Sequence, residues 1–276
     1  MSFRFLLTAA RSAWLCGALA LASHDAPAQP VVRINGTGSG SGGMRLLAQA
    51  FMQANPGTKV EVQPALGSTG GITALMAGQI EAAISNRQPK DSELAKLPLV
   101  SVEYARTPFV VAVSRELGVT GVSSSQLAGL FGEGPVAFPN GKRARPVLRL
   151  SDAGDTDLLK SFSPEIATAV DAASKRRGML SADTDSEAAD LIERTAGAFG
   201  VSTLALIESE KRALTALAID AKVPSVDNLA SGAYPYCKSL YLIVGPDAGP
   251  NTKRFAAFVQ SSAGRAVLRA HGHAPS

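Results

Sequence analysis

Near its start, the chain repeats one pattern three times: a short strand is followed by a small polar loop. The three loops are GTGSGSGG at 36–43, GSTGG at 67–71 and NRQP at 86–89. The apolar spacing predicts helices after the first two loops, from Met44 and from Ile72. Such alternation favours an α/β fold in which mostly parallel sheets are flanked by helices.

The remainder of the chain continues this alternation. The pattern predicts a β-rich stretch at 100–113 that is broken at Thr107 and Pro108, a helix capped by Ser123, a strand at 147–150, a fourth small polar loop at 151–156, and a helix from Asp157. It further predicts a helix at 187–194, strands at 198–202 and 240–244, and a C-terminal helix from Asn251. The fourth loop therefore follows a strand in the same way as the first three.

Loops of this kind are suited to binding anions. The first backbone N–H groups of a helix have no partner within the helix, and the helix dipole favours negative charge there. Glycines let the backbone approach a ligand, and Ser or Thr hydroxyls add donors. Because ligands of open α/β sheets bind at the carboxyl ends of the strands, we expect the four loops to share one anion site.

The N-terminus has the three parts of a secretory signal peptide. Arg4 and Arg11 provide the basic opening, residues 12–23 are small or apolar, and the sequence A-P-A at 26–28 provides a cleavage site. The apolar stretch is shorter than the roughly 20 residues that a membrane-spanning helix needs. We therefore expect cleavage after Ala28 and export to the periplasm.

Few residues of the exported part suit metal or covalent chemistry. His271 and His273 are its two histidines, both in the C-terminal tail, where we expect them to be solvated, and Cys237 is its single cysteine. We therefore expect no catalytic residue, no metal site and no cofactor. The net charge of the whole chain is +4, which suits an anionic ligand and is too small to indicate nucleic-acid binding.

Three known motifs, two for nucleotide binding and one for a catalytic nucleophile, fit this sequence less well than an anion site does. Residues 38–43 match G-x-G-x-x-G, but a dinucleotide site expects an acidic residue at the end of the second strand, and Glu61 lies within that strand. Gly141 and Lys142 are followed by Arg143, whereas a P-loop requires Ser or Thr there. The G-x-S-x-G motif of esterases does not occur.

Taken together, the loops resemble those of periplasmic phosphate-binding proteins of ABC transporters. The resemblance rests on GTGS at 36–39, GSTGGI at 67–72, ISNR at 84–87, QLAGLF at 126–131, GAFGV at 197–201, YP at 234–235 and LYL at 240–242. These motifs occur in the family's order and cover most of the exported part of the chain.

The resemblance implies a two-lobed type II periplasmic-binding-protein fold with a two-segment hinge. One lobe would comprise residues 29–107 with 237–276, and the other residues 108–236. The ligand-binding residues that it implies are Thr37, Gly38, Ser39, Gly67, Ser68, Thr69, Asn86, Arg149, Gly154 and Asp155. The implied function is capture of a small oxyanion, phosphate first, by a monomer that catalyses nothing and delivers its ligand to an ABC-transporter permease.

Two loops depart from the family pattern. Asn86 stands where the family commonly has an aspartate that accepts a hydrogen bond from protonated phosphate. The family's fourth loop has an arginine and then Ser-Gly-Thr, whereas Arg149 is followed at those positions by Ala153, Gly154 and Asp155. Two hypotheses for Asp155 stay open: it replaces the acceptor inside the cleft, or it points outward as a helix-start carboxylate. Arg149 either meets the oxyanion bidentately or forms an ion pair.

Other functions also stay open at this point. Within the same class, the ligand is sulfate, molybdate or a small carboxylate instead of phosphate. From a different class, the chain is an exported enzyme that uses Asp152 and Asp155 as acid and base, although their spacing supplies no nucleophile. A third alternative is a sensor or scaffold domain that has lost its ligand.

Overall fold

Residues 31–149 and 153–276 are described by the structure, a computed structural model. The predicted cleavage site after Ala28 and the start of the fourth loop, including Asp152, lie outside these ranges. Within them, none of the helices combines the length and the apolar character needed to cross a membrane.

Strands and helices alternate along most of the described chain. The strands are β1 Val31–Gly36, β2 Lys59–Val62, β3 Ala82–Ser85, β4 Val100–Ser114, β5 Gly121–Val122, β6 Arg145–Arg149, β7 Leu180–Ala182, β8 Ala198–Thr203, β9 Leu214–Ala216, β10 Ala218–Ile219, β11 Cys237–Val244 and β12 Ala274–Pro275. The helices are α1 Gly38–Ala54, α2 Gly67–Met76, α3 Asp91–Leu94, α4 Ser124–Leu130, α5 Ala153–Lys160, α6 Pro164–Ser174, α7 Asp185–Arg194, α8 Leu204–Ser209, α9 Val226–Ala230, α10 Pro250–Gln260 and α11 Ser262–Arg269.

One long strand, β4, joins two sheet halves. The strand order is β2-β1-β3-β11-β4-β8-β6-β7, and β4 pairs with β11 along residues 100–108 and with β8 along residues 109–113. We call the β2-β1-β3-β11 side the first sheet half and the β8-β6-β7 side the second. In each half the three strands β1 to β3 or β6 to β8 pair in parallel, whereas β4 and β11 are antiparallel to their neighbours. The α/β class with mostly parallel, helix-flanked sheets is confirmed.

Each sheet half has its own hydrophobic core. The core of the first half includes Ile34, Met44, Leu47, Phe51, Ile84, Leu240 and Phe255. The main core of the second half includes Phe109, Val111, Leu127, Ile166, Phe199 and Val201. Side chains of α1, α10 and α11 cover the first sheet half, while those of α4 to α6 cover the second. The carboxyl ends of the parallel strands lie outside both cores, at the junction of the two sheet halves.

Two predictions about element boundaries are wrong. The helices begin earlier than Met44, Ile72 and Asp157, because the small residues of the preceding loops form their first turns. The predicted break at Thr107 and Pro108 is also absent, since β4 runs through both. Proline lacks an N–H, but here it lies where β4 changes partner from β11 to β8, so no ladder hydrogen bond is lost in the middle of a sheet.

Candidate functional site

The first glycine-rich loop is a tight connection between β1 and α1. Gly36 has a φ of +145°, and a Cβ atom at this position would overlap the carbonyl oxygen of Ile84 in β3. Glycine is required here because β1 lies directly against β3. The Thr37 N–H then donates to the Ile84 carbonyl at 2.9 Å, so α1 begins at the carboxyl end of β1.

The glycines at the start of α1 serve close packing. A Cβ atom at Gly38 would lie 2.8 Å from Ser186 Oγ of α7, and one at Gly43 would lie 2.6 Å from the His273 ring. All residues from 38 to 44 are buried. The expectation that His273 is solvated is wrong, because its side chain is packed under α1 and 0% exposed.

A carboxylate from the second sheet half occupies the donors of this loop. Asp185, the first residue of α7, accepts from Thr37 Oγ1 at 2.9 Å and from the Ser39 N–H at 3.1 Å. Both donors converge on the same oxygen, Oδ2. The Ser39 amide is among those at a helix start that have no partner within the helix. The start of α1 thus already holds one oxyanion, the Asp185 carboxylate.

Two buried basic residues surround the same carboxylate. Arg149 Nη1, at the end of β6, and Lys238 Nζ, in β11, each lie 3.1 Å from Asp185 Oδ1. Both basic groups also contact the carboxylate of Asp155, in the first turn of α5. We call Arg149, Asp155, Asp185 and Lys238 the charged cluster. None of these four side chains is more than 6% exposed.

The two carboxylates of the charged cluster have opposite pKa shifts. For Asp155, burial together with the nearby negative charge of Asp185 outweighs Lys238 and Arg149 and raises the pKa from 3.8 to about 6. Burial would also raise the pKa of Asp185, but attraction to Lys238 and Arg149 and its hydrogen bonds hold that pKa far below its usual value. At neutral pH the cluster therefore carries two positive and two negative charges.

Burial and the two carboxylates shift the pKa of Lys238 in opposite directions. Burial alone would lower its pKa, but the charges of Asp155 and Asp185 outweigh that effect and raise it. The ammonium group also lies 5.6 Å from the centre of the Phe109 ring, within the range of a cation–π contact. Lys238 therefore stays charged although it is buried.

A cleft of about 710 Å³ opens beside the charged cluster. It is lined by Thr69, Asn86, Arg87, Lys90, Gly154, Asp155, Asp157, Leu158, Ser161, Cys237, Lys238, Ser239 and Tyr241. These residues come from the second and third loops, from α5 of the second sheet half and from β11. Asp155 and Lys238 therefore belong to both the cleft and the charged cluster.

The second and third loops bond to each other at the edge of this cleft. Ser68 Oγ donates to Asn86 Oδ1 at 2.6 Å, and the Asn86 N–H donates back to Ser68 Oγ at 3.0 Å. Arg87 pairs bidentately with Glu93, both contacts at 2.8 Å, which holds the pKa of Glu93 at about 2. Asn86 thus lines the cleft, and Ser68 holds it in place from the start of α2.

The ten ligand-binding residues predicted from the sequence fall into three groups. Thr37, Ser39, Arg149 and Asp155 meet around the charged cluster, and Thr69, Asn86 and Gly154 line the cleft, with Ser68 bonded to Asn86. The other two are backbone positions: Gly38 packs against α7, and Gly67 begins α2 with a φ of +72°.

The hypothesis that Asp155 points outward is wrong. Its side chain is 0% exposed and lies 3.2 Å from Arg149 Nη1. Because α5 begins at Ala153 instead of Asp157, Asp155 lies in the first turn of the helix and faces the junction of the sheet halves. Of the two hypotheses for Arg149, the structure shows the ion pair, with Asp155 and with Asp185.

Sequence reasoning missed two members of the charged cluster, Asp185 and Lys238. Thr184 and Glu187 form a capping box that marks the start of α7. This sequence pattern could have predicted that Asp185 lies at a helix start. Lys238 is a lone charge in the apolar strand CKSLYLIV, and a buried charge needs a partner. That these two residues meet depends on contacts between distant segments, which the sequence does not reveal.

Comparison with known proteins places this arrangement in a family. A family model described as the PBP superfamily domain matches residues 21–263. The chain belongs to the PBP superfamily. Among curated proteins, the phosphate-binding protein PstS of Bacillus subtilis (strain 168) is 25% identical over 229 residues, which are 81% of this chain and 74% of PstS.

Solved structures support the same fold. A Clostridium perfringens protein, assigned as a phosphate ABC transporter substrate-binding protein and solved with bound phosphate, superposes with a TM-score of 0.71 at 18% identity, covering 90% of this chain and 100% of that one. An ABC-type phosphate transport receptor of Vibrio cholerae gives a TM-score of 0.59 at 22% identity, with the same coverage. The expected type II periplasmic-binding-protein fold is confirmed.

Proposed function

We propose that this PBP-superfamily chain is an exported solute-binding protein that captures phosphate for an ABC importer and catalyses nothing itself. The two lobes are residues 29–107 with 237–276 and residues 108–236, so the chain passes between them within β4 and at the start of β11. The name of the PstS relative and of the phosphate-bound structure supports phosphate as the ligand. The signal-peptide pattern that ends at Ala28 supports export to the periplasm.

One observation carries the proposal: four donors from three parts of the fold converge on a single carboxylate. These donors are the Thr37 hydroxyl, the Ser39 N–H, the Arg149 guanidinium and the Lys238 ammonium. Hydroxyl, helix-start amide and guanidinium donors are the groups that hold phosphate oxygens in proteins. A site that binds one oxyanion of the protein is suited to an oxyanion from solution.

Asp155 supports phosphate over sulfate. Phosphate keeps a proton at neutral pH and needs an acceptor, whereas sulfate has no proton to donate. Asp155 lies at the wall shared by the charged cluster and the cleft, where its carboxylate accepts that proton's hydrogen bond and repels a fully ionised anion. Asp155→Asn is therefore expected to weaken phosphate binding and to narrow the difference in affinity between phosphate and sulfate.

Calorimetric titration with phosphate, sulfate and molybdate tests the proposal. We expect one phosphate per chain and weaker binding of the other two anions. In the ligand-free protein the Ser68 hydroxyl donates to Asn86, which lines the cleft, and we propose that it turns to phosphate on binding. Ser68→Ala, which leaves Asp185 untouched, should therefore lower phosphate affinity about ten- to a hundredfold, as for the loss of one hydrogen bond to a charged group. Ser174→Ala is the matched control, since that hydroxyl donates to Val170 O within α6. Unchanged affinity in Ser68→Ala would place the ligand elsewhere.

A further inference from the structure

The donors of the first loop are closed off from the cleft. The side chains of Thr37 and Ser39 are 1% and 0% exposed, and neither residue lines the cleft. What covers them is Asp185, which accepts from the Thr37 hydroxyl and from the Ser39 amide. Of the charged cluster, Asp155 and Lys238 line the cleft. An anion in the cleft therefore contacts these two residues before it reaches the first loop, and it reaches that loop only after Asp185 has moved.

We propose that Asp185 is a built-in competitor of the ligand: its carboxylate occupies the oxyanion position in the ligand-free protein and phosphate displaces it. Asp185 thus determines affinity and selectivity, because a solute must outcompete a carboxylate that is already tethered in place. This inference rests on the proposed function.

The tether also joins the two sheet halves. Asp185 belongs to α7, which packs on β8 of the second half, whereas Thr37 and Ser39 belong to the start of α1 in the first half. Its contacts keep the halves together without a ligand. When the binding-competent state is a minor one, the apparent affinity falls by the fraction that is competent, so a tether that leaves one molecule in ten open lowers affinity about tenfold.

Three variants with the same change in charge separate this role from general electrostatics. Asp185→Asn weakens the competitor and should raise phosphate affinity by on the order of tenfold. Asp183→Asn is the matched control, because Asp183 is exposed and lies two residues before Asp185 in the chain. This variant should leave phosphate affinity unchanged. Asp155→Asn removes a charge from the same cluster without a contact to the first loop, and it should weaken binding. Lower phosphate affinity in Asp185→Asn than in wild type, or an equal rise in affinity in Asp185→Asn and Asp155→Asn, would overturn the proposal.

A measurement without ligand separates failure of this proposal from failure of the proposed function. Amide hydrogen exchange of Ser39, followed by NMR, should be slow in ligand-free wild type and fast in ligand-free Asp185→Asn, with protection restored by phosphate. Unchanged exchange in the variant would contradict the competitor role even if wild type binds phosphate. If the variant does not fold, the side-chain carboxyl signal of Asp185 in wild type serves instead. It should shift on phosphate addition while that of Asp183 does not, and an unmoved Asp185 signal would overturn the inference.

Discussion

The two glycine-rich loops of the first sheet half have similar composition and opposite surroundings. In the first, residues 38–43 are all buried, and α1 packs through them onto α7 and the C-terminal tail. In the second, Gly67 has open space around it and Thr69 lies on the cleft. Both loops begin a helix at the carboxyl end of a strand or close to it, so their local chemistry is the same.

The difference shows that loop composition indicates what a segment binds, while distant segments decide whether it is accessible. The donors of the first loop are taken by Asp185, which lies 146 residues further along the chain than Ser39. The Ser68 hydroxyl is taken by Asn86 from the adjacent loop, at the cleft edge. The first loop is therefore a binding position that is filled and buried, whereas the second loop keeps Thr69 on the cleft.

The largest expected effect is a difference in folding stability between glycine substitutions in the two loops. Gly36→Ala should lower the free energy of unfolding by roughly 5 kcal/mol or abolish folding, because its Cβ would overlap the Ile84 carbonyl oxygen at a φ that side chains rarely adopt. Gly67→Ala also has a positive φ but meets no atom, so its cost should be about 1–2 kcal/mol. Urea unfolding of both variants measures the difference, and equal costs would refute the account of Gly36.

Charge beneath the first loop should matter more for folding stability than charge at the exposed edge of the cleft. Lys238→Met leaves the carboxylates of Asp155 and Asp185 buried with a single basic partner, so it should cost roughly 3–5 kcal/mol of folding stability. Lys90→Met, at the exposed edge of the cleft, should change stability by less than about 0.5 kcal/mol. Thermal and urea unfolding check the pair. A Lys238→Met protein as stable as Lys90→Met would mean that the charged cluster is not ionised as described.

A smaller effect is expected in the pH dependence of stability. The pKa of Asp155 is raised from 3.8 to about 6, so folding favours its protonated form, and wild type loses stability relative to Asp155→Asn as pH rises through this range. The relative loss should total on the order of 3 kcal/mol and be complete above about pH 6.5. Asp185, whose pKa is lowered, contributes stability that is lost at pH values below this window. Urea unfolding at several pH values measures the difference, and a pH-independent difference would contradict the environment of Asp155.

Local patterns predicted much of the fold. The strand–loop–helix alternation near the start gave the α/β class, and Ser123 caps α4 as expected. The helix starts were misplaced because glycine disfavours helices on its own, whereas burial against α7 and His273 stabilises the first turns of α1. For the site, Thr37, Ser39, Arg149 and Asp155 were predicted, but Asp185 and Lys238 were not. These buried charge pairs form between segments that are far apart in sequence, and local sequence patterns do not predict such contacts.

A crystal structure of the protein grown with phosphate tests the central claim most directly. We expect phosphate oxygens within hydrogen-bond distance of Thr37 Oγ1 and the Ser39 N–H, with Arg149 and Lys238 around them and the Asp185 carboxylate moved away. Phosphate bound against Arg87 and Lys90 in the cleft, with Asp185 still bonded to Thr37 and Ser39, would contradict it.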